Sequence, residues 1–490
     1  QFIQLEVMVV ALGLLVLLAD LFLSESARRS LGWVAAGALG LVFLLSFRGS
    51  YVALAEIKAA VSVTDQPFGG IYRLDGLALF FKRFFMLVAI FVLVFAVDFA
   101  SRLKGGVSEY LAFILFALSG MMFAGSANDF SLLFVAIELI TVTFYILVSF
   151  QRHRMQSLEA GVKYLILGAV SSSFLVYGIA LVFGEAGSLK FDAIRDAHAG
   201  LLQNKVFLFG MLFVFAGLAF KISAFPFQIW APDVYQGAPT PTTTFLAVGS
   251  KAAGFVLLIR LFGSVVPELT AQWTGMLMVV AALTILYGNL CALPQRNLKR
   301  LLAYSGIANA GYLLMGIVAQ SDDGTAAILY YLAGYLFTLV AAFMIINLVT
   351  REEEGEDISC LAGLNKRSPF LAVALTLCAV SLAGIPPLAG FFGKFLLVKS
   401  VAAEAFGNTG YFALLAVAVF GVVVSIYYYF GIIRTIYWSK DTPDNSPVAI
   451  AWPTRMVLGL CVAAILYLGL LPDKPINWAN AAAKIETVAK

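Results

Sequence analysis

The sequence predicts an all-α, polytopic membrane bundle of about fourteen transmembrane helices. Three observations carry this. Of 490 residues, 61% are hydrophobic and 12% charged, against soluble norms of roughly 45–50% apolar and 25% charged. Apolar runs of about twenty residues, enough to cross a ~30 Å hydrocarbon core, recur from one end of the chain to the other. Two of these runs are overlong and interrupted by proline. The usual expectation of one domain per ~150 residues therefore gives way to a single membrane domain, 1–490, with no soluble domain left over.

In order, the spans are predicted at about 5–23, 31–47, 76–98, 108–126, 128–150, 157–184, 204–235, 241–263, 271–292, 298–319, 324–350, 369–401, 409–438 and 450–471. The first runs into further spans without a small-residue cleavage site, so it reads as a helix and not a removed signal. An even number of spans puts both termini on one side. Arg28, Arg29, Arg102, Lys104, Arg152, Arg154, Arg296, Lys299, Arg300, Arg351, Lys366, Arg367, Arg434, Lys440 and Arg455 fall in short loops and helix ends on one face. The opposite short loops offer little beyond Arg260 and Lys399, so the positive-inside rule turns both termini away from the cytoplasm. Lys82 and Arg83 fall near the outer end of their span and read as interfacial.

The seventh span, FAGLAFKISAFPFQIWAPDVYQGAP, carries Pro226 in mid-membrane, and the twelfth, SLAGIPPLAGFFGKFLLVKS, carries Pro386 and Pro387. Proline removes a backbone donor and clashes with the preceding turn, so both helices are predicted to break. Such breaks belong where they are buried in protein or face water. A matched pair in two halves is a pointer to transport built from inverted repeats. Five spans per half give N-terminal helices one to three over 1–107, a first repeat of helices four to eight over 108–263, a second of helices nine to thirteen over 271–438, and helix fourteen over 450–471.

Ionisable residues at bilayer depth cost about 2.5–3.5 kcal/mol each on insertion scales. Glu138, Lys221, Lys251 and Lys394 all sit near the midplane of different helices, too deep for easy snorkelling. A static ion pair accounts for Glu138 with Lys221 but leaves Lys251 and Lys394 without an obvious intramembrane acid. Burial disfavours the charged form of lysine and a nearby carboxylate restores it. A lysine whose acid partner approaches and withdraws thus loads and releases a proton. Lys163 lies about two turns into its helix, within snorkelling reach. Ser171, Ser172, Ser173, Asn289, Tyr304, Ser305 and Asn309 are candidates for a hydrated path or for close helix packing.

Other chemistries lack their residues. Cys291, Cys360, Cys378 and Cys461 are scattered, with no CxxC pair, and His153 and His198 both fall in predicted loops. Disulfide, zinc, iron–sulfur and bis-histidine haem sites are therefore not expected, and no redox cofactor is expected in this chain. A net charge of +4 without a continuous basic face gives no support for nucleic-acid binding. The acidic run REEEGED at 351–357 reads as a solvated loop and not a metal site.

The stretch KISAFPFQIWAPDVYQGAPTPTTTFLAVGSKAAGFVLLIRL resembles the helix seven to eight signature of the antiporter-like subunits of complex I. NLCALPQRNLKRLLAYSGIANAGYLLMG and SLAGIPPLAGFFGKF resemble that family's helices nine to ten and twelve. DVYQGAP and Lys394 place the chain nearest the N-type paralogues. The resemblance spans nearly the whole chain. It implies proton translocation driven by NADH oxidation and quinone reduction in other subunits, where NADH, FMN, iron–sulfur clusters and quinone are held. Its implied partners are the other complex I subunits, especially neighbouring antiporter-like and small membrane subunits, with lipid around them. The size and loop pattern suit a bacterial inner membrane. Glu138 and Lys221 match the family's coupled pair, Lys251 its central lysine, Lys394 its helix-twelve residue, and Lys163 a further lysine of the N type. One departure is Gln228, where the family commonly has histidine; glutamine hydrogen-bonds but does not titrate. Competing readings are a subunit of a multisubunit cation/proton antiporter or of a membrane-bound hydrogenase, and a scaffold subunit whose buried charges only fix assembly.

Overall fold

The apolar runs fold as helices whose starts are set by polar side chains. A computed structural model describes residues 2–48, 67–103, 105–350, 355–405, 409–439 and 446–484, and no strand forms among them. The helices are α1 (Gln4–Asp20), α2 (Glu25–Leu45), α3 (Gly76–Phe99), α4 (Val107–Gly125), α5 (Phe130–Val148), α6 (Met155–Ala186), α7 (Lys205–Ile222), α8 (Trp230–Gly237) and α9 (Thr240–Phe245). They continue as α10 (Lys251–Leu258), α11 (Pro267–Ala292), α12 (Leu298–Val318), α13 (Asp322–Val349), α14 (Pro369–Ala383), α15 (Ala389–Ala403), α16 (Thr409–Trp438), α17 (Trp452–Leu470) and α18 (Asp473–Ala483). Asp75, Asp129, Asn204, Asn297 and Ser321 each accept a backbone N–H in the first turn of the helix that follows, satisfying donors that helix geometry leaves over. Eleven helices among the described residues are long and apolar enough to cross a membrane, with shorter apolar helices at Ser30–Leu45 and Pro369–Ala383. This is a multi-pass membrane protein. The short helix α18 follows the last expected span and had no counterpart in the sequence reading.

Both overlong spans are broken, and the break begins ahead of the proline. α7 ends at Ile222 and α14 at Ala383, each four residues before a proline, Pro226 or Pro387. That is the residue whose carbonyl a proline ring would strike. The eighth span departs from a plain helix differently, with π-helical turns at Leu246–Ser250 and Ile259–Val265 on either side of α10.

The chain divides into two compact units. The first comprises Gln1–Ser223, Gly237–Trp273 and Ala481–Lys490. Within it α6 packs along α7, α4 along α5, α1 on α4, and α2 on α3. Small residues allow the α6–α7 approach: a Cβ on Gly178 would stand 2.6 Å from the Gly210 carbonyl oxygen. Most of the α6 surface stays uncovered. The second unit comprises Ala224–Gln236 and Thr274–Asn480. It is organised around α13, which packs against α12, α14, α15 and α17 and is lined almost wholly by buried side chains.

Three sequence expectations need correction. Lys82 is not interfacial: it is fully buried and ion-paired at 2.8 Å with an equally buried Glu6. Arg260 is not a loop residue. It lies in the second π-helical turn, 3% exposed, paired with Asp75 and donating to the Gly125 carbonyl. Within the acidic run, Glu356 is drawn out of solvent by the buried Lys299, at 2.7 Å. In each case the partner is remote in sequence, so local pattern misplaces the charge. Residues 49–66, Lys104, 351–354 and Lys440 lie outside the described residues.

Candidate functional site

The last turn of α7 carries Lys221, followed by Ser223 in the left-handed region at φ 60°. This non-glycine residue at positive φ marks where the helix is forced to stop. Lys221 is 6% exposed, and its Nζ donates to Thr141 Oγ1. Thr141 in turn donates to the Ile137 carbonyl at 2.6 Å, so its hydroxyl is oriented with a lone pair toward the lysine. Glu138, three residues earlier on α5 and half-buried, accepts instead from Ser172 Oγ of α6. Acid and lysine therefore interact electrostatically while each is held by a hydroxyl and not by the other. Of the three consecutive serines, Ser172 alone faces Glu138; Ser171 donates to the Gly217 carbonyl and Ser173 to the Ala169 carbonyl.

Lys251 is the first residue of α10, directly after the π-helical turn, and is 2% exposed. A π turn widens the helix and re-aims the residues beside it, a device frequent at functional sites. Gly254, one turn on, lies against the end of α7: a Cβ there would come within 2.6 Å of Ile222 Cγ2 and 3.4 Å of Lys221 Cβ. The helix that begins at Lys251 thus packs against the end of the helix that carries Lys221. Lys163 is not drawn into this group. It is half-exposed on α6 and pairs with Glu159, one turn earlier, at 2.7 Å.

The second unit holds Lys394, 5% exposed, on α15 just beyond the break. Gly384, at φ 81°, closes α14 through N–H bonds back from Gly384 and Ile385 to Ser381 and Val380. The carbonyls of Leu382 and Ala383 are left over, and Lys394 Nζ donates to them at 2.7 and 3.5 Å. Its ammonium also stands 4.9 Å from the centre of the Tyr312 ring. A cation is favoured there twice, by the negative end of the helix dipole and by the ring face. Away from it runs a buried polar chain. Tyr331 donates to Asn309 Oδ1 at 2.7 Å, Asn309 to Ser305 at 3.4 Å, and Ser305 shares a hydrogen bond with Tyr429. Tyr428 donates to Asn289 at 3.0 Å. Gln228, also in this unit, is 2% exposed with Oε1 lacking a hydrogen-bond partner among the described residues.

Sequence reasoning missed Thr141 and the tyrosines at 312, 331, 428 and 429. Thr141 carried a usable signal, being one turn from Glu138; the tyrosines were hidden among the many apolar aromatics of the spans. Chemically, the ensemble consists of lysines, one carboxylate, hydroxyls and amides at helix discontinuities. Groups of these types can accept, hold and pass protons. Among the described residues, no group of three or more His, Cys, Asp or Glu is placed to hold a metal ion.

The family described as "NADH:quinone oxidoreductase/Mrp antiporter, TM" matches residues 127–425. The chain is 36% identical to the NADH-quinone oxidoreductase subunit N of Desulforamulus reducens, covering 98% of this chain and 97% of that one. It is 37% identical to the subunit N of Moorella thermoacetica over 97% and 96% of the two chains. Among solved structures, a chain of respiratory complex I from Thermus thermophilus, with bound aureothin, superposes with a TM-score of 0.77 at 28% identity, over 97% of this chain and 99% of that one.

Proposed function

The chain belongs to the NADH:quinone oxidoreductase/Mrp antiporter family of transmembrane subunits, and from that premise we propose that it is the proton-translocating subunit N of a complex I type NADH:quinone oxidoreductase. Protons cross the membrane through its buried acid and lysines, driven by quinone reduction elsewhere in the complex. NADH, FMN, iron–sulfur clusters and quinone belong to partner subunits, and this chain contributes no redox chemistry. It works in a bacterial inner membrane with both termini away from the cytoplasm, as two inverted repeats over 108–263 and 271–438 preceded by 1–107 and followed by helix fourteen.

The observation that carries the reading is the arrangement around Lys221. A static pair would bring ammonium and carboxylate into direct contact. Here Thr141 holds Lys221 and Ser172 holds Glu138, which leaves the acid free to strengthen or weaken its hold on the lysine's proton by a small side-chain movement. Lys251, against the same helix end through Gly254, is the next acceptor. Lys394, seated on the carbonyls of a broken helix, loads and discharges in the second unit. Lys163, paired with Glu159 on the uncovered side of α6, acts where a neighbouring subunit would cover it.

The test is proton pumping by the assembled complex carrying Lys221→Ala, with its quinone-reductase rate and assembly measured alongside, and Glu138→Gln as companion. Loss of pumping in an intact complex is expected. Full pumping and activity would reduce the pair to a packing device and favour the scaffold reading.

A further inference from the structure

One buried charged constellation is not used by this path. Lys82 of α3 and Glu6 of α1 are both 0% exposed, with Nζ 2.8 Å from Oε1. Tyr72, just ahead of α3, bridges them. Lys82 donates to its hydroxyl, and that hydroxyl lies 2.9 Å from Glu6 Oε1 and also 2.9 Å from the Phe2 carbonyl oxygen. A phenol has one proton and serves one acceptor at a time, so Tyr72 has two settings, toward the carboxylate or away from it. Burial and the Glu6 carboxylate both push Tyr72 well above the ordinary phenol range, so it stays neutral and acts as a turning donor. The other carboxylate oxygen, Glu6 Oε2, is buried with no hydrogen-bond partner among the described residues.

That empty oxygen separates this pair from its neighbour. Asp75, which caps α3, takes both Arg260 nitrogens at 3.0 and 2.8 Å and the Ala78 N–H at 2.8 Å. Arg260 further donates to the Gly125 carbonyl at 2.9 and 2.7 Å. Both oxygens of this second carboxylate have donors, which hold it in the charged form. Arg260 stands nine residues beyond Lys251 on the same span, roughly 13 Å along its axis, and Asp75 ties it to the helix that carries Lys82. A charged carboxylate oxygen buried without a donor is costly, and a proton on it is the smallest change that neutralises it.

We propose, building on the translocation reading above, that Glu6, bridged by Tyr72 to Lys82, is a further proton-holding site of this chain, placed between Lys251 and the membrane face at which α1 begins. On loading, an O–H bond forms at Oε2 as one breaks in an arriving hydronium ion, which leaves as neutral water; Tyr72 then turns its proton to the Phe2 carbonyl. On release the water takes the proton back and Tyr72 returns to the carboxylate.

The experiment uses the whole complex in vesicles, with Glu6→Gln, the double variant Glu6→Gln/Lys82→Met, Tyr72→Phe and, in parallel, Lys221→Ala. Assembly, quinone-reductase rate, protons pumped per NADH oxidised and the infrared carboxylic-acid band are read for each. Pumping per NADH in the two Glu6 variants is expected to fall to the level of Lys221→Ala, with a carboxylic-acid band of the parent lost in both. If Lys221→Ala loses pumping while the double variant pumps like the parent, the pair only holds helices together and this proposal falls alone. If Lys221→Ala itself pumps normally, the underlying translocation reading falls, and this one with it. Should the Glu6 variants fail to assemble, Tyr72→Phe, which keeps the ion pair, decides: slowed pumping supports the site and parental pumping overturns it.

Discussion

Replacing Gly384 by alanine would move Lys394 without touching its charge. Gly384 sits at φ 81°, and a Cβ there would lie 3.0 Å from Lys394 Cδ and 3.6 Å from Nζ. The left-handed backbone costs an L residue about 1–2 kcal/mol. The crowded lysine stem is the flexible partner in the contact, so it gives way and carries the ammonium off the Leu382 and Ala383 carbonyls. A hydrogen bond to a charged group contributes about 1.5–3 kcal/mol, so the seated ammonium becomes roughly ten- to a hundredfold rarer. The two losses together, about 2.5–5 kcal/mol, fall at or below the low end of a typical folding stability of 5–15 kcal/mol, so the complex should still assemble. Proton pumping by reconstituted complex should then drop severalfold while Gly431→Ala, at a position with nothing within 4 Å of the added methyl, behaves as the parent. Equal pumping by Gly384→Ala and the parent would refute the view that Lys394 works from its seat on the broken helix.

Two further outcomes are expected. Thr141→Val conserves volume and removes the acceptor of the Lys221 ammonium, at about 1.5–3 kcal/mol; pumping should slow, whereas Ser173→Ala, whose hydroxyl only returns to its own helix, should change nothing in the same assay. For Asp75, burial pushes the carboxyl up, but Arg260 and then Arg73 outweigh it and hold it down at about 2. A depressed value means that the stability it confers is fully present above the ordinary value of ~3.9 and is lost only as pH falls toward 2. Thermal unfolding of the solubilised complex should therefore show no dependence on this pair between pH 5 and 8, while Asp75→Asn lowers stability by about 3 kcal/mol across that range; an unchanged unfolding temperature would count against the pair.

The parts of the molecule that the sequence discloses are those governed by local rules. Hydrophobic length places the spans, and proline places the breaks, because the ring acts on a carbonyl only four residues away: hence Ile222 and Ala383 as helix ends. Depth in an apolar run likewise singles out Lys221, Lys251 and Lys394, all of them buried. What local rules do not carry is pairing. Lys82 looks interfacial until Glu6 arrives from 76 residues earlier to bury it, and Arg260 looks like a loop end until Asp75, 185 residues back, receives it. Lys163 shows the converse. Two turns into its helix and within snorkelling reach, it is held at a half-exposed surface by a near partner, Glu159 of its own helix. An intramembrane charge is therefore legible as a cost in the sequence, but whether that cost is met by a fixed partner, by a neighbouring subunit or by a mobile proton depends on contacts between distant helices. Glu6 is the sharpest instance: nothing in its own turn distinguishes it, and only the fold reveals a carboxylate with one oxygen engaged and the other without a partner among the described residues.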